Sequence, residues 1–171
     1  TTTGVTVGGI PMVLIASQVS VPVFARQVSM WELASPPTGV QSIVVTTTGA
    51  VDGMVTTSIA MDPSTITNDN AASSGLGTTP STTVTTSVTE KVIDCIATSS
   101  TPTLSPGANQ TFQTDNAHGS VTLRLATSDQ DGVDGGVMSW TLGSSAYYAH
   151  IVTSFNVVTP ATKTRTVTKY R

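Results

Sequence analysis

The chain has 171 residues, 38% hydrophobic, 5% aromatic and only 10% charged, with a formal net charge of −3. A single domain of that size buries a real core without staples, and one cysteine, Cys95, excludes an intramolecular disulfide. The longest apolar run, Ile10 to Ala16, is far short of the roughly 20 residues a membrane helix needs, so no membrane partner is expected.

Threonine is the most informative residue type, at 33 of 171. A β-branched side chain with a hydroxyl fits a half-wet pleated surface and fits a helix poorly. The runs at 81–88 and 162–168 therefore predict an all-β protein with a surface covered by hydroxyls rather than charges. Aromatics are scarce, so the core has to come from Val, Ile, Leu and Ala. Residues 1–157 carry all ten acids against three bases (Arg26, Lys91 and Arg124), a balance of −7. Residues 163–171 carry four bases and no acid, a balance of +4. One-sign blocks at a chain end often act as interaction arms. The first residue is Thr1 and no charged-then-apolar signal segment follows. That start fits either removal of an initiator Met or processing of a longer precursor.

In chain order, period-2 patterning predicts strands at 12–17, 26–33, 40–47, 54–61, 81–88, 92–98, 110–114, 120–127, 137–142 and 147–158. No helix of three turns is expected. Turn chemistry separates the strands at Pro36-Pro37-Thr-Gly39, Asp62-Pro-Ser64, Pro102-Thr-Leu-Ser-Pro-Gly107 and Asp131-Gly-Val-Asp-Gly-Gly136. The stretch 63–80, rich in Ser, Thr, Asn and Gly, reads as a long exposed loop. Strand 92–97 is apolar on both faces apart from Asp94, which fits a central position. About ten short strands with this spacing predict a two-sheet antiparallel β-sandwich, or a jelly-roll-like fold. The expected division is a β-sandwich domain over 1–158 and a basic extended arm over 159–171.

Four blocks stand in order: Val5-Thr-Val-Gly-Gly-Ile-Pro-Met12, Val28-Ser-Met-Trp-Glu-Leu-Ala-Ser-Pro-Pro-Thr-Gly39, Thr103-Leu-Ser-Pro-Gly-Ala-Asn-Gln-Thr111 and Met138-Ser-Trp-Thr-Leu-Gly-Ser-Ser145. Together they resemble a β-sandwich module of bacteriophage virion proteins and large bacterial surface proteins. The resemblance covers roughly residues 5–157 and implies a fold more than an activity. Members of that group usually carry one or two strands before the Gly-Gly hairpin and lack a tail like 159–171. The resemblance thus implies a sandwich short of an edge strand, with a neighbouring subunit's strand filling the gap.

Residues that carry chemistry are few. A nucleophile needs a base beside it, and the two histidines do not supply one on sequence grounds. His150 sits in an alternating strand as a structural residue, and His118 falls in an expected surface loop. Cys95 lies in an apolar strand and reads as buried and inert. Asp115 and Glu90 have no evident partner for acid–base work. Asp129, Asp131 and Asp134 around Gly132 place hard oxygens at i, i+2 and i+5, the one candidate Ca²⁺ site. A plain solvated loop is the simpler reading, so no cofactor is expected. Trp31, Trp140 and Tyr147 are candidate ligand contacts for a sugar, although both tryptophans sit in alternating strands, as core aromatics do.

The tail is the most suggestive element. In an extended 162–171, Lys163, Arg165, Val167, Lys169 and Arg171 share one face, and the threonines with Tyr170 share the other. Such an arm would augment a neighbour's sheet edge, its charge complementing an acidic body. Nucleic acid is not an expected partner, because the body is acidic and lacks aromatic interleaving. The expectation is a non-enzymatic virion protein, a phage head decoration or cement subunit whose partners are further copies and a capsid protein. The alternatives are a secreted carbohydrate-binding surface module and an extracellular filament subunit joined by strand donation.

Overall fold

The computed structural model describes residues 1–20, 26–60, 66–119, 122–132 and 136–156. The arm 159–171, with Lys163, Arg165, Val167, Lys169, Tyr170 and Arg171, lies outside them, and so does Asp134. Among the described residues the fold is all-β, with no helix. The strands are β1 (Thr2–Val7), β2 (Ile10–Pro11), β3 (Val13–Val19), β4 (Gln27–Glu32), β5 (Ile43–Thr47), β6 (Ile66–Gly77) and β7 (Ser81–Thr83). They continue with β8 (Glu90–Thr98), β9 (Leu104–Pro106), β10 (Thr111–His118), β11 (Leu123–Asp131), β12 (Val137–Leu142) and β13 (Ala146–Asn156). Four antiparallel sheets result, in the orders β2-β1-β5, β3-β4, β10-β11-β8-β13-β6 and β7-β12-β9, and none closes into a barrel.

The five-stranded sheet is covered on both faces, which is why β8 and β13 are buried almost throughout. On one face Cys95, Ala97, Leu125, Ala149 and Ile151 pack against Val28, with Ala16 and Met30 alongside. On the other face Ile96 and Ala126 meet Leu104, Trp140 and Leu142, while Val92 and Val152 meet Val84 and Met138. The alternation in β12 follows from this packing. Met138, Trp140 and Leu142 point inward, while Val137 and Thr141 face out. The threonine run obeys the same rule: Thr82, Val84 and Thr86 are buried, and Ser81, Thr83 and Thr85 are exposed.

Local chemistry sets the turns. Gly8 and Gly9 both have positive φ, 57° and 83°, and join β1 to β2 with Val7 opposite Ile10, a two-residue hairpin loop that favours glycine at both positions. Gly132 marks a close backbone approach, donating its N–H to the Glu90 carbonyl at 2.7 Å. A Cβ there would lie 2.1 Å from the Ser87 carbonyl oxygen.

Several expectations need correction. The stretch 63–80 is not a long loop, because β6 runs through Ile66–Gly77 and pairs with β13 from Ala146↔Gly77 to Asn156↔Ile66. Small side chains carry little strand propensity, but the ladder is made by the backbone, and a long partner strand overrides propensity. Residues 54–60, expected in a strand, form no ladder, although their exposure still alternates at 53–58. Within the acidic stretch 129–134, which reads as a loop in the sequence, β11 extends to Asp131 and places Asp129 in a ladder with Ile93. His118 closes β10 rather than standing in a loop.

Candidate functional site

Two places on the molecule have the geometry to act. The first lies between the N-terminal strands and the face of the central sheet that carries Cys95 and Leu125. Here covering is incomplete, leaving a cavity of about 1290 Å³ whose lining includes Met12, Val28, Met30, Trp31, Cys95 and Leu125. Five of its lining residues, Val19, Ile43, Val51, Met54 and Ile59, remain substantially exposed to solvent. Ile10, Val13, Leu14, Val40 and Val44 add further exposed apolar surface on the same 60 residues. Only Arg26, Glu32 and Asp52 are charged in that segment.

The second place is a polar chain on the opposite face of the central sheet. Asp94 in β8 is fully buried. Its Oδ1 accepts the Ser128 N–H at 2.8 Å and the Ser128 hydroxyl at 2.7 Å. Its Oδ2 accepts the Trp140 indole N–H at 2.6 Å and lies 2.9 Å from His150 Nε2. His150, also fully buried, places Nδ1 2.9 Å from Thr82 Oγ1, which is 2.6 Å from Ser73 Oγ. Cross-strand register assembles the set. Ser128 and Val152 lie opposite Asp94, His150 lies opposite Ile96 and Ser73, and β7 and β12 lie across the core from them. A hydroxyl–imidazole–carboxylate order is the order of nucleophilic catalysis. Here, however, Thr82 and His150 are buried, and neither lines the large cavity.

The other candidates take up structural positions. Asp129 is buried beside Lys91, with Nζ–Oδ2 at 2.5 Å, and accepts a short hydrogen bond from Gln113. Asp131 is exposed and 3.1 Å from the same ammonium. Hydrogen bonding to Asp129 is the largest influence raising the Lys91 pKa. Two of the three proposed calcium ligands therefore already face a cation, and among the described residues no group of three His, Cys, Asp or Glu side chains stands together as a metal site. Asp115, which showed no partner in the sequence, is bonded to the Arg124 guanidinium, and that pairing raises the Arg124 pKa. Glu90 accepts the Ser87 N–H at 2.8 Å.

Trp140 belongs to the core, edge-on to Phe112 at a centroid distance of 6.1 Å. Trp31 is half-buried on the cavity wall, its indole N–H donating to Ser29 Oγ at 2.9 Å. Tyr147 is half-buried in β13, so the structure does not bring these three rings onto one platform. Cys95 is buried, and desolvation pushes its thiol pKa far up. Among the described residues no helix is long and apolar enough to cross a membrane. Comparison of the chain with protein-family models, with curated proteins and with solved structures found no match.

Proposed function

We propose that the chain is a non-enzymatic virion structural protein, a phage head decoration or cement subunit. It would assemble through sheet contacts between copies and through its arm at 159–171. The central sheet with the three-stranded sheet on one face and the N-terminal strands on the other is read as a variant of the sandwich plan. One observation carries the assembly reading: ten of the fourteen exposed large apolar side chains among the described residues fall within the first 60 residues. Soluble monomers rarely expose apolar surface in that concentration, and such surface marks contact sites. With three charges in the same segment, little has to be desolvated when another surface covers it. For the carbohydrate reading, Trp140 is taken up by the core, and Trp31 is the tryptophan that lines the cavity.

The test is deletion of 159–171, with oligomeric state read by analytical ultracentrifugation and particle binding by co-sedimentation with phage heads. Loss of oligomers and of head binding is the expected result. A truncated chain that assembles and binds as the full chain does would remove the arm from the mechanism.

A further inference from the structure

We propose that Ser73, Thr82 and His150 form a reversible hydroxyl relay that lets the buried imidazole take up a second proton without losing a hydrogen bond. The fold then holds a proton-responsive site at the contact between its five-stranded and three-stranded sheets. This inference does not depend on the virion role.

A hydroxyl offers one donor and two acceptor sites, and a neutral imidazole one of each. With Asp94 ionised, Oδ2 accepts the Nε2–H of neutral His150, and the bare Nδ1 accepts the Thr82 hydroxyl. Thr82 Oγ1 then accepts the hydroxyl of Ser73. When Nδ1 gains a proton the direction reverses. Nδ1–H donates to Thr82 Oγ1, Thr82 donates to Ser73 Oγ, and Ser73 donates to the Ser81 carbonyl 3.4 Å away. No heavy atom has to move, because only hydroxyl hydrogens rotate, and both states leave every buried nitrogen with a partner.

The electrostatics agree. Asp94 is the one charged group within hydrogen-bonding distance of the ring among the described residues. Thr82 from β7 meets the ring, Ser73 from β6 meets Thr82, and Ser128 from β11 and Trp140 from β12 meet Asp94, and all four are uncharged. Asp69, Glu90 and Arg124 lie further along the sheet, held by Thr85, Ser87 and Asp115 respectively. An imidazolium here has a carboxylate at 2.9 Å and no competing cation. Ser73 is half-buried and is the end of the chain nearest solvent, so it is where a proton enters.

The relay differs from a merely structural hydrogen bond in one measurable way. Ser73→Ala leaves the neutral state nearly intact, since Thr82 still donates to Nδ1. In the protonated state it leaves the Thr82 hydroxyl buried without an acceptor, which is the costly case. The experiment is ¹⁵N and ¹³C NMR of the histidine rings of the full chain from pH 8 to pH 5, with His118 as the internal comparison. The expected result is that His150 Nδ1 gains a proton while the sheet amide spectrum stays native. The titration midpoint should move to lower pH in Ser73→Ala and further in the near-isosteric Thr82→Val. A His150 ring that keeps one tautomer until the protein unfolds, or a Ser73→Ala midpoint equal to that of the parent chain, overturns the proposal.

Discussion

A carboxylate with no access to water survives only when donors replace its hydration, and Asp94 has four of them, drawn from β11, β12 and β13. Asp94→Ala should cost about 3–5 kcal/mol in urea unfolding, because it leaves buried donors unpaired. Trp140→Phe keeps an aromatic ring but removes one donor to a charge, about 1.5–3 kcal/mol, and the loss of indole volume from the core adds a cavity cost to it. Asp69 supplies a pH dependence of known sign. Hydrogen bonding to Thr85 is the largest influence holding its carboxyl below the usual range. The stability it contributes is therefore present above the unfolded carboxylate pKa and is lost as the pH falls through the lower folded value. Unfolding curves taken from pH 5 downward should show a smaller acid destabilisation in Asp69→Asn than in the parent chain. Equal slopes would mean that the Asp69–Thr85 contact is too exposed to matter.

The ladders of β8, β11 and β13 are covered on both faces, whereas β2, β3 and β5 expose Ile10, Val13, Leu14, Ile43 and Val44. Amide hydrogen exchange should divide accordingly, slowest in the central sheet and faster by orders of magnitude in β2 to β5. Gly132→Ala tests the locking of the end of β11 onto the turn at 87–90. Its Cβ would meet backbone oxygens, which cannot swing away as a side chain does. A loss of about 1–3 kcal/mol is expected. Legibility also differed by element. Strand 137–142 was readable to the residue, because one buried face imposes a clean alternation on Met138, Trp140 and Leu142. β6 was not, because Asn70, Ala71, Ser73 and Gly75 give no periodic signal and its order comes from β13. The polar chain was half legible. Asp94 stood out as the one polar residue of an apolar strand, but its partners lie 34, 46 and 56 positions away and meet it only through sheet register.

At the scale of the molecule, the two halves of the chain are built to different standards. From β6 onward the cores are filled by Trp140, Met138, Ile96 and Ile151, all fully buried. Over the first 60 residues only Val5 and Val28 are buried hydrophobics among the described residues, and most other apolar side chains line an open cavity or stand in solvent. If that surface joins copies together, Leu14→Lys with Val44→Lys should abolish self-association in analytical ultracentrifugation while leaving urea stability within about 0.5 kcal/mol, as exposed positions allow. The composition predicts a surface low in charge and rich in hydroxyls. It does not show which half leaves apolar side chains exposed, because threonine is spread through both.

Cys95 makes the boundary between those halves observable. Its thiol faces the cavity side of the central sheet and is covered by Val28 and its neighbours from the N-terminal strands. It is the chain's one cysteine, and in the closed state burial keeps it from forming a thiolate. A thiol-reactive dye added to the native protein therefore times the lifting of β3 and β4 off the sheet. Labelling faster than global unfolding would mark that layer as a separately opening flap, and an assembled partner seated on it would slow the clock.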